Sequence, residues 1–154
     1  MLQKLMVSLL ATGFVLGFGT AFAKDDPVKK AQELRQAPMK LIANNFGFMN
    51  AMAKGKIDWN EQEFALRGRE LGAIGQLNLL RGYRENTYEG MTRAKPEVEM
   101  EFDEFSDKMR EFEKALKDFG AKADAEAMKA GLNDLGKSCK SCHKKFKSKE
   151  YQGS

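Results

Sequence analysis

PEVEMEFDEFSDKMREFEKALKDFG, residues 96–120, is the stretch that decides the fold. Val98, Phe102, Phe105, Met109, Phe112, Leu116 and Phe119 follow one another at spacings of 4, 3, 4, 3, 4 and 3. A heptad series of this kind lays its apolar side chains along one stripe of a helix and leaves the other faces charged. Pro96 and Glu97 suit a first helical turn, and Gly120 suits an end. Such a stripe is buried only against other helices, and the chain supplies them. Pro27 opens a first helix, running to about Ala53 and closed by Lys54-Gly55-Lys56. Asp58 or Asn60 caps a second, with Glu61 and Glu63 in its first turn, that runs to about Arg84. Asp124 caps the last, which runs to about Ser148. No run alternates with period two and β-branched residues are scarce, so strands are not expected. The fold predicted is all-α, an antiparallel up-down-up-down four-helix bundle.

The second helix is the weak one. Gly68, Gly72, Gly75 and Gly82 each cost up to about 1 kcal/mol relative to Ala. They offer a smooth face, either to another helix or flat ring from outside or to tight packing within the chain.

The last helix carries Ala125, Met128, Leu132, Leu135, Cys139, Cys142 and Phe146 at spacings of 3, 4, 3, 4, 3 and 4. The chain's two cysteines therefore continue its buried stripe. His143, the single histidine, lies about 100° further round, beside that stripe. Three chemistries compete for this arrangement. A closed zinc site needs four N or S ligands, and no carboxylate falls between Asp134 and Glu150 to complete one. A redox dithiol sits at a helix N-terminus after a strand, whereas this pair lies near a C-terminus, where the dipole raises thiol pKa values. Cys-x-x-Cys-His is the attachment signature of c-type haem: two thiols on one face add to the porphyrin vinyl groups and the histidine ligates iron. One covalently bound haem c in the bundle core is the cofactor expected.

The N-terminus agrees on compartment. Lys4 is the only charge before Lys24, and the apolar run 5–20 ends in Ala21-Phe22-Ala23, a small-x-small cleavage pattern. The run is shorter than the ~20 residues a membrane span needs. Residues 1–23 are read as a cleaved signal peptide and residues 24–154 as one exported, periplasmic domain. No cysteine marks the cleavage site for lipidation, so no membrane attachment is expected after cleavage. The net charge is +4, with signs interspersed except around the motif. There Lys137, Lys140, Lys144, Lys145, Lys147 and Lys149 stand with no acid among them. Export and the lack of interleaved aromatics argue against nucleic acid. Two readings remain, a solvated helix end favoured by the C-terminal dipole and a docking surface for an acidic redox partner.

An exported four-helix bundle with Cys-x-x-Cys-His near the end of its last helix resembles the class II c-type cytochromes, cytochrome c′ above all. The resemblance spans essentially residues 26–151. In that family the first helix covers the far side of the haem through an arginine, three residues, and a distal residue. LRQAPMKLIANNFGFM, residues 34–49, matches with Arg35 and Met39. MTRAKPEV, residues 91–98, is similar to the segment bordering the haem edge, which implies Arg93 and Ala94 there. The resemblance further implies one-electron exchange with soluble redox partner proteins, NO or CO binding at five-coordinate iron, and a homodimer through the first two helices. Low-spin members use a first-helix methionine as sixth iron ligand, so Met39 either packs over the ring or bonds the iron.

The residues themselves support this. Arg35, Met39, Ile42, Phe46 and Met49 form one stripe at spacings of 4, 3, 4 and 3. An arginine heading an apolar stripe needs a partner, which a haem propionate supplies; snorkelling to solvent is the other reading. Gln36 beside it reaches the same propionate or lies exposed. Pro38 removes an amide donor and predicts a kink just before Met39. Crowding by Ile42 and Phe46 favours a methionine that packs without bonding. The stripe offers no distal acid or base, so an enzyme is not expected.

Overall fold

Side-chain caps fix where the helices begin. In a computed structural model, which describes residues 26–83 and 85–152, Asp26 Oδ1 accepts from the Val28 amide at 2.9 Å and opens α1 (Pro27–Ala53). Asn60, and not Asp58, accepts from Glu63 at 2.9 Å and opens α2 (Glu61–Ile74). Asp124 accepts from Ala127 at 2.8 Å and opens α5 (Ala125–Phe146). The signal peptide expected at residues 1–23 lies outside the described residues. No described helix is long and apolar enough to cross a membrane.

The bundle is as expected, but three boundaries differ. α2 stops at Ile74 and not near Arg84. Gly75 lies so close to the next helix that an added Cβ would stand 2.7 Å from the Glu113 carbonyl oxygen. The chain turns away there, and Glu113 Oε1 captures the Leu79 amide at 2.7 Å as a single 3₁₀ turn, Leu79–Gly82, begins. The helix expected over residues 96–120 is interrupted at Glu101, whose φ of −124° and ψ of 46° leave the helical region. It becomes one turn, α3 (Glu97–Met100), and a long α4 (Phe102–Gly120). The break rotates Phe102 off the seam to 41% exposure, while Val98, Phe105, Met109, Phe112, Leu116 and Phe119 are buried.

α5 ends at Phe146 and not Ser148, and the expectation of a chain without strands is corrected there. Residues Lys147–Gln152 form β2, antiparallel to β1 (Thr92–Ala94), pairing Thr92 with Gln152 and Ala94 with Lys147 across a bulge. KSKEYQ has no β-branched residue; the pairing comes from tertiary placement, with the Lys95 amide donating to the Phe146 carbonyl at 3.0 Å. Pro38 does not break α1, which continues to Ala53.

The glycines of α2 serve packing within the chain. Gly68 faces the Met128 side chain, and a Cβ on Gly72 would stand 2.8 Å from the Gly120 Cα. Backbone meets backbone at that crossing and neither can give. Gly72→Ala gains about 1 kcal/mol of helix propensity yet is expected to destabilise by a net ~1–3 kcal/mol through overpacking. Urea denaturation checks this, and a variant as stable as the wild type would contradict it.

Candidate haem site

α1, the β1–β2 ribbon, α4 and α5 enclose a cavity of about 470 Å³, in the range of cofactor sites. Its α5 wall carries Cys139, Cys142 and His143, and its α1 wall carries Met39, Ile42 and Phe46. α4 contributes Phe105, Met109 and Phe112. Phe46 reaches α5 at Gly136, where a Cβ would stand 3.0 Å from its Cζ. A small residue one turn before Cys139 thus lets the two walls close.

The motif's electrostatics follow from this placement. Both cysteines are half-buried, and burial pushes their thiols above the ordinary range. His143 stands exposed at its edge of the cavity. Lost hydration on the cavity side, then Lys147 and Arg93, hold its pKa below the usual imidazole value. The ring is therefore neutral at pH 7 and its lone pair free for a metal. No group of three His, Cys, Asp or Glu side chains among the described residues converges as a zinc cage would.

Arg35 does not snorkel; it is 3% exposed. Nη2 donates to the Thr87 carbonyl at 2.9 Å and to Thr92 Oγ1 at 3.1 Å, and Nη1 to the Gly82 carbonyl and Thr87 Oγ1, both at 3.4 Å. Its guanidinium also lies over the rings of Tyr83 and Tyr88, at 5.9 and 5.3 Å. Gly82 makes this possible, since a Cβ there would meet the Arg35 amide nitrogen at 2.5 Å. Every one of these partners is neutral, and no carboxylate among the described residues pairs with this buried cation. Gln36 Nε2 donates to the Met91 carbonyl at 3.3 Å and also lines the cavity. Arg93 donates from Nε to the Ser148 carbonyl at 3.0 Å and lies over the Tyr151 ring, while Ala94 completes that wall. All of Arg35, Gln36, Met39, Arg93, Ala94, Cys139, Cys142 and His143 thus meet at one cavity.

Sequence reasoning missed Tyr83, Thr92, Met109, Lys147 and Tyr151 on its walls. Thr92 adjoins Arg93 in a segment already singled out, so its hydroxyl was within reach of the argument. Tyr83 and Tyr151 follow no period and carry no signal. Tyr83 packs on Phe105 with centroids 4.7 Å apart, and burial, opposed by Arg35, pushes its phenol up to about 12. Because the folded pKa is raised, its contribution is fully present below the unfolded value near 10 and is lost as pH rises toward 12. The loss is on the order of 2–3 kcal/mol. Tyr83→Phe is expected to lack this alkaline step when urea denaturation of the two proteins is compared from pH 9 upward. Parallel pH profiles would contradict it.

The donor set suits a c-type haem. Two thiols and a neutral imidazole share one wall, a thioether stands opposite, and a buried cation without a carboxylate waits at the edge. The family model for cytochrome c′ matches residues 30–147. The chain belongs to the cytochrome c′ family. Cytochrome c′ of Rubrivivax gelatinosus is 34% identical over 77% of this chain and 95% of that protein. The structure of cytochrome c prime from Shewanella frigidimarina superposes with a TM-score of 0.72 at 31% identity, covering 80% of this chain and 98% of that one. A variant of cytochrome c prime from Alcaligenes xylosoxidans, described as a nitrosyl complex, matches at TM-score 0.68 and 26% identity, over 80% and 98%. As a cytochrome c′ family member the chain is a monohaem c-type cytochrome, and its cofactor is covalently attached haem c.

Proposed function

We propose that Cys139 and Cys142 hold the haem through thioethers, that His143 is its axial iron ligand, and that the protein works in the periplasm as a one-electron carrier that also binds diatomic gases. Residues 1–23 are removed on export and residues 24–154 form the working domain. The observation carrying this reading is that residues from three separate stretches of sequence, 35–39, 93–94 and 139–143, line one cavity.

Bound there, haem c would supply a one-electron ferric–ferrous couple and an iron able to take up NO or CO. The protein's residues do the rest. His143 presents a neutral nitrogen from α5. Arg35, fixed by Thr87 and Thr92, holds a positive charge at the cavity edge for a propionate, with Gln36 beside it. Arg93 and Ala94 line the same cavity from β1, next to the Thr92 that Arg35 holds. Met39 lines the α1 wall with Ile42 and Phe46, an apolar set that offers no acid or base, which fits a carrier and not an enzyme. The Alcaligenes relative described as a nitrosyl complex supports gas binding.

A second reading has Met39 as sixth ligand of a low-spin carrier, and the half-buried position of its side chain on the cavity wall favours keeping it. Soluble redox proteins are the partners; neither nucleic acid nor, after cleavage, a membrane is. Leu34, Leu41 and Phe48 recur every 7 residues on α1 as exposed apolar side chains, with Leu66 exposed on α2, which supports a homodimer through these helices. Protein purified from cells competent in c-type maturation is expected to show a reversible one-electron couple and to take up CO or NO when reduced. A reduced protein inert to both gases would remove the gas-binding half of this reading.

A further inference from the structure

One wall of the cavity is explained neither by the helical seams nor by the family match, which ends at Lys147 where β2 begins. Lys147 and Tyr151 of this strand line the cavity together with Arg93 of β1. The pairing that brings them there is uneven. The 3 residues of β1, Thr92–Ala94, stand against the 6 of β2, Lys147–Gln152, with both ends in register. The surplus residues of β2 cannot lie flat in the ladder, so the strand bows between its two paired ends. Tyr151 sits in that arch.

Arg93 holds the arch down. Its Nε donates to the Ser148 carbonyl at 3.0 Å, and its own carbonyl accepts from Ser148 Oγ at 3.4 Å. Its guanidinium lies 5.8 Å from the centroid of the Tyr151 ring, within the range of a cation–π attraction. One side chain therefore fixes both the backbone and the ring of the arch. Tyr151 is 49% exposed, part of it lining the cavity and the rest facing solvent, and Lys149 and Glu150 beside it are exposed. A segment with so few buried apolar contacts opens far more readily than the bundle unfolds. The arch is closed at rest and easily lifted.

We propose that Tyr151 is a specificity-determining residue of this cavity: its ring, held on the β2 arch by Arg93, closes that side to molecules larger than a diatomic gas. The inference rests on the haem and gas-binding reading above. A diatomic passes through ordinary fluctuations of the packing, with the ring still in place. A longer ligand enters only when the arch lifts, so its entry is slowed by the contacts of Arg93 and that of the diatomic is not. The bulk of the ring, and not its hydroxyl, makes the barrier.

The test uses the reduced holoprotein and two ligands of ferrous iron that differ in length, CO and n-butyl isocyanide. In Tyr151→Ala the isocyanide is expected to bind about tenfold faster and CO less than about twofold faster. Tyr151→Phe, which keeps the ring, is expected to restore the wild-type ratio of the two rates. Arg93→Ala is expected to raise the isocyanide rate in the same way. It is also expected to let trypsin cut after Lys147 or Lys149 about tenfold faster, a measure of arch opening that does not involve the iron. An equal gain for both ligands in Tyr151→Ala would mean general loosening, and an unchanged isocyanide rate would mean entry elsewhere; either overturns the proposal. Tryptic cleavage as fast in wild type as in Arg93→Ala would remove the latch and overturn it too. Binding of neither ligand by any form, with trypsin still distinguishing Arg93→Ala, would overturn it together with the gas-binding reading beneath it.

Discussion

Arg35→Ala is expected to keep its haem, lose on the order of 3–5 kcal/mol of stability, and lower the reduction potential. The size follows from what the guanidinium holds. It ties α1 to the segment carrying Gly82, Thr87 and Thr92 through four hydrogen bonds. Each acceptor left buried and unsatisfied costs about 1–3 kcal/mol, so the sum exceeds the usual range for a single substitution, ~0.5–3 kcal/mol. The potential falls because a nearby fixed cation favours the ferrous state, which carries one positive charge fewer than the ferric. Arg35→Lys keeps the charge and loses the fork; it is expected to recover most of the potential but little of the stability. A potential unchanged in Arg35→Ala would mean that the cation serves the loop alone.

Met39→Ala is expected to leave the resting spectrum nearly unchanged while speeding CO binding to the reduced protein by roughly tenfold. Met39 is only half-buried, and it shares its wall with Ile42 and Phe46, whose ring already presses on Gly136. Displacing an apolar side chain of this size costs about 1.5–3 kcal/mol when fully buried, and about 1.4 kcal/mol of barrier is tenfold in rate. Flash photolysis measures the rate directly. A sulfur-to-iron absorption band at the red end of the ferric spectrum, present in wild type and lost in Met39→Ala, would overturn this and make the protein a low-spin carrier.

How much of this was legible depended on whether one residue's neighbours lie along the chain or across it. The seam from Val98 to Phe119 is local periodicity, and it announced the bundle. Cys139, Cys142 and His143 fall within five consecutive residues, so their chemistry was readable without a fold. Arg35 was readable as a cation in need of an anion, but its neutral partners Thr87 and Thr92 lie more than 50 residues away and follow no pattern. The break at Glu101 was hidden because a single non-helical residue leaves the apolar spacing intact while rotating Phe102 outward. β2 was hidden because KSKEYQ has no β-branched residue and no alternating apolar pattern; the end of α5 and the neighbouring β1 create it. α2 ended early for a related reason, since Gly75 reads in sequence only as a weak helix former and shows its purpose once Glu113 lies against it.

The central claim, that Cys139 and Cys142 carry the cofactor covalently beside His143, is tested most directly by the mass of the purified protein. Material from cells competent in c-type maturation is expected to weigh as much as the polypeptide of residues 24–154 plus one haem. Its colour is expected to resist acid-acetone, and Cys139→Ser/Cys142→Ser to yield colour that the solvent removes. A polypeptide mass without haem, from cells that mature other c-type cytochromes normally, would contradict the account.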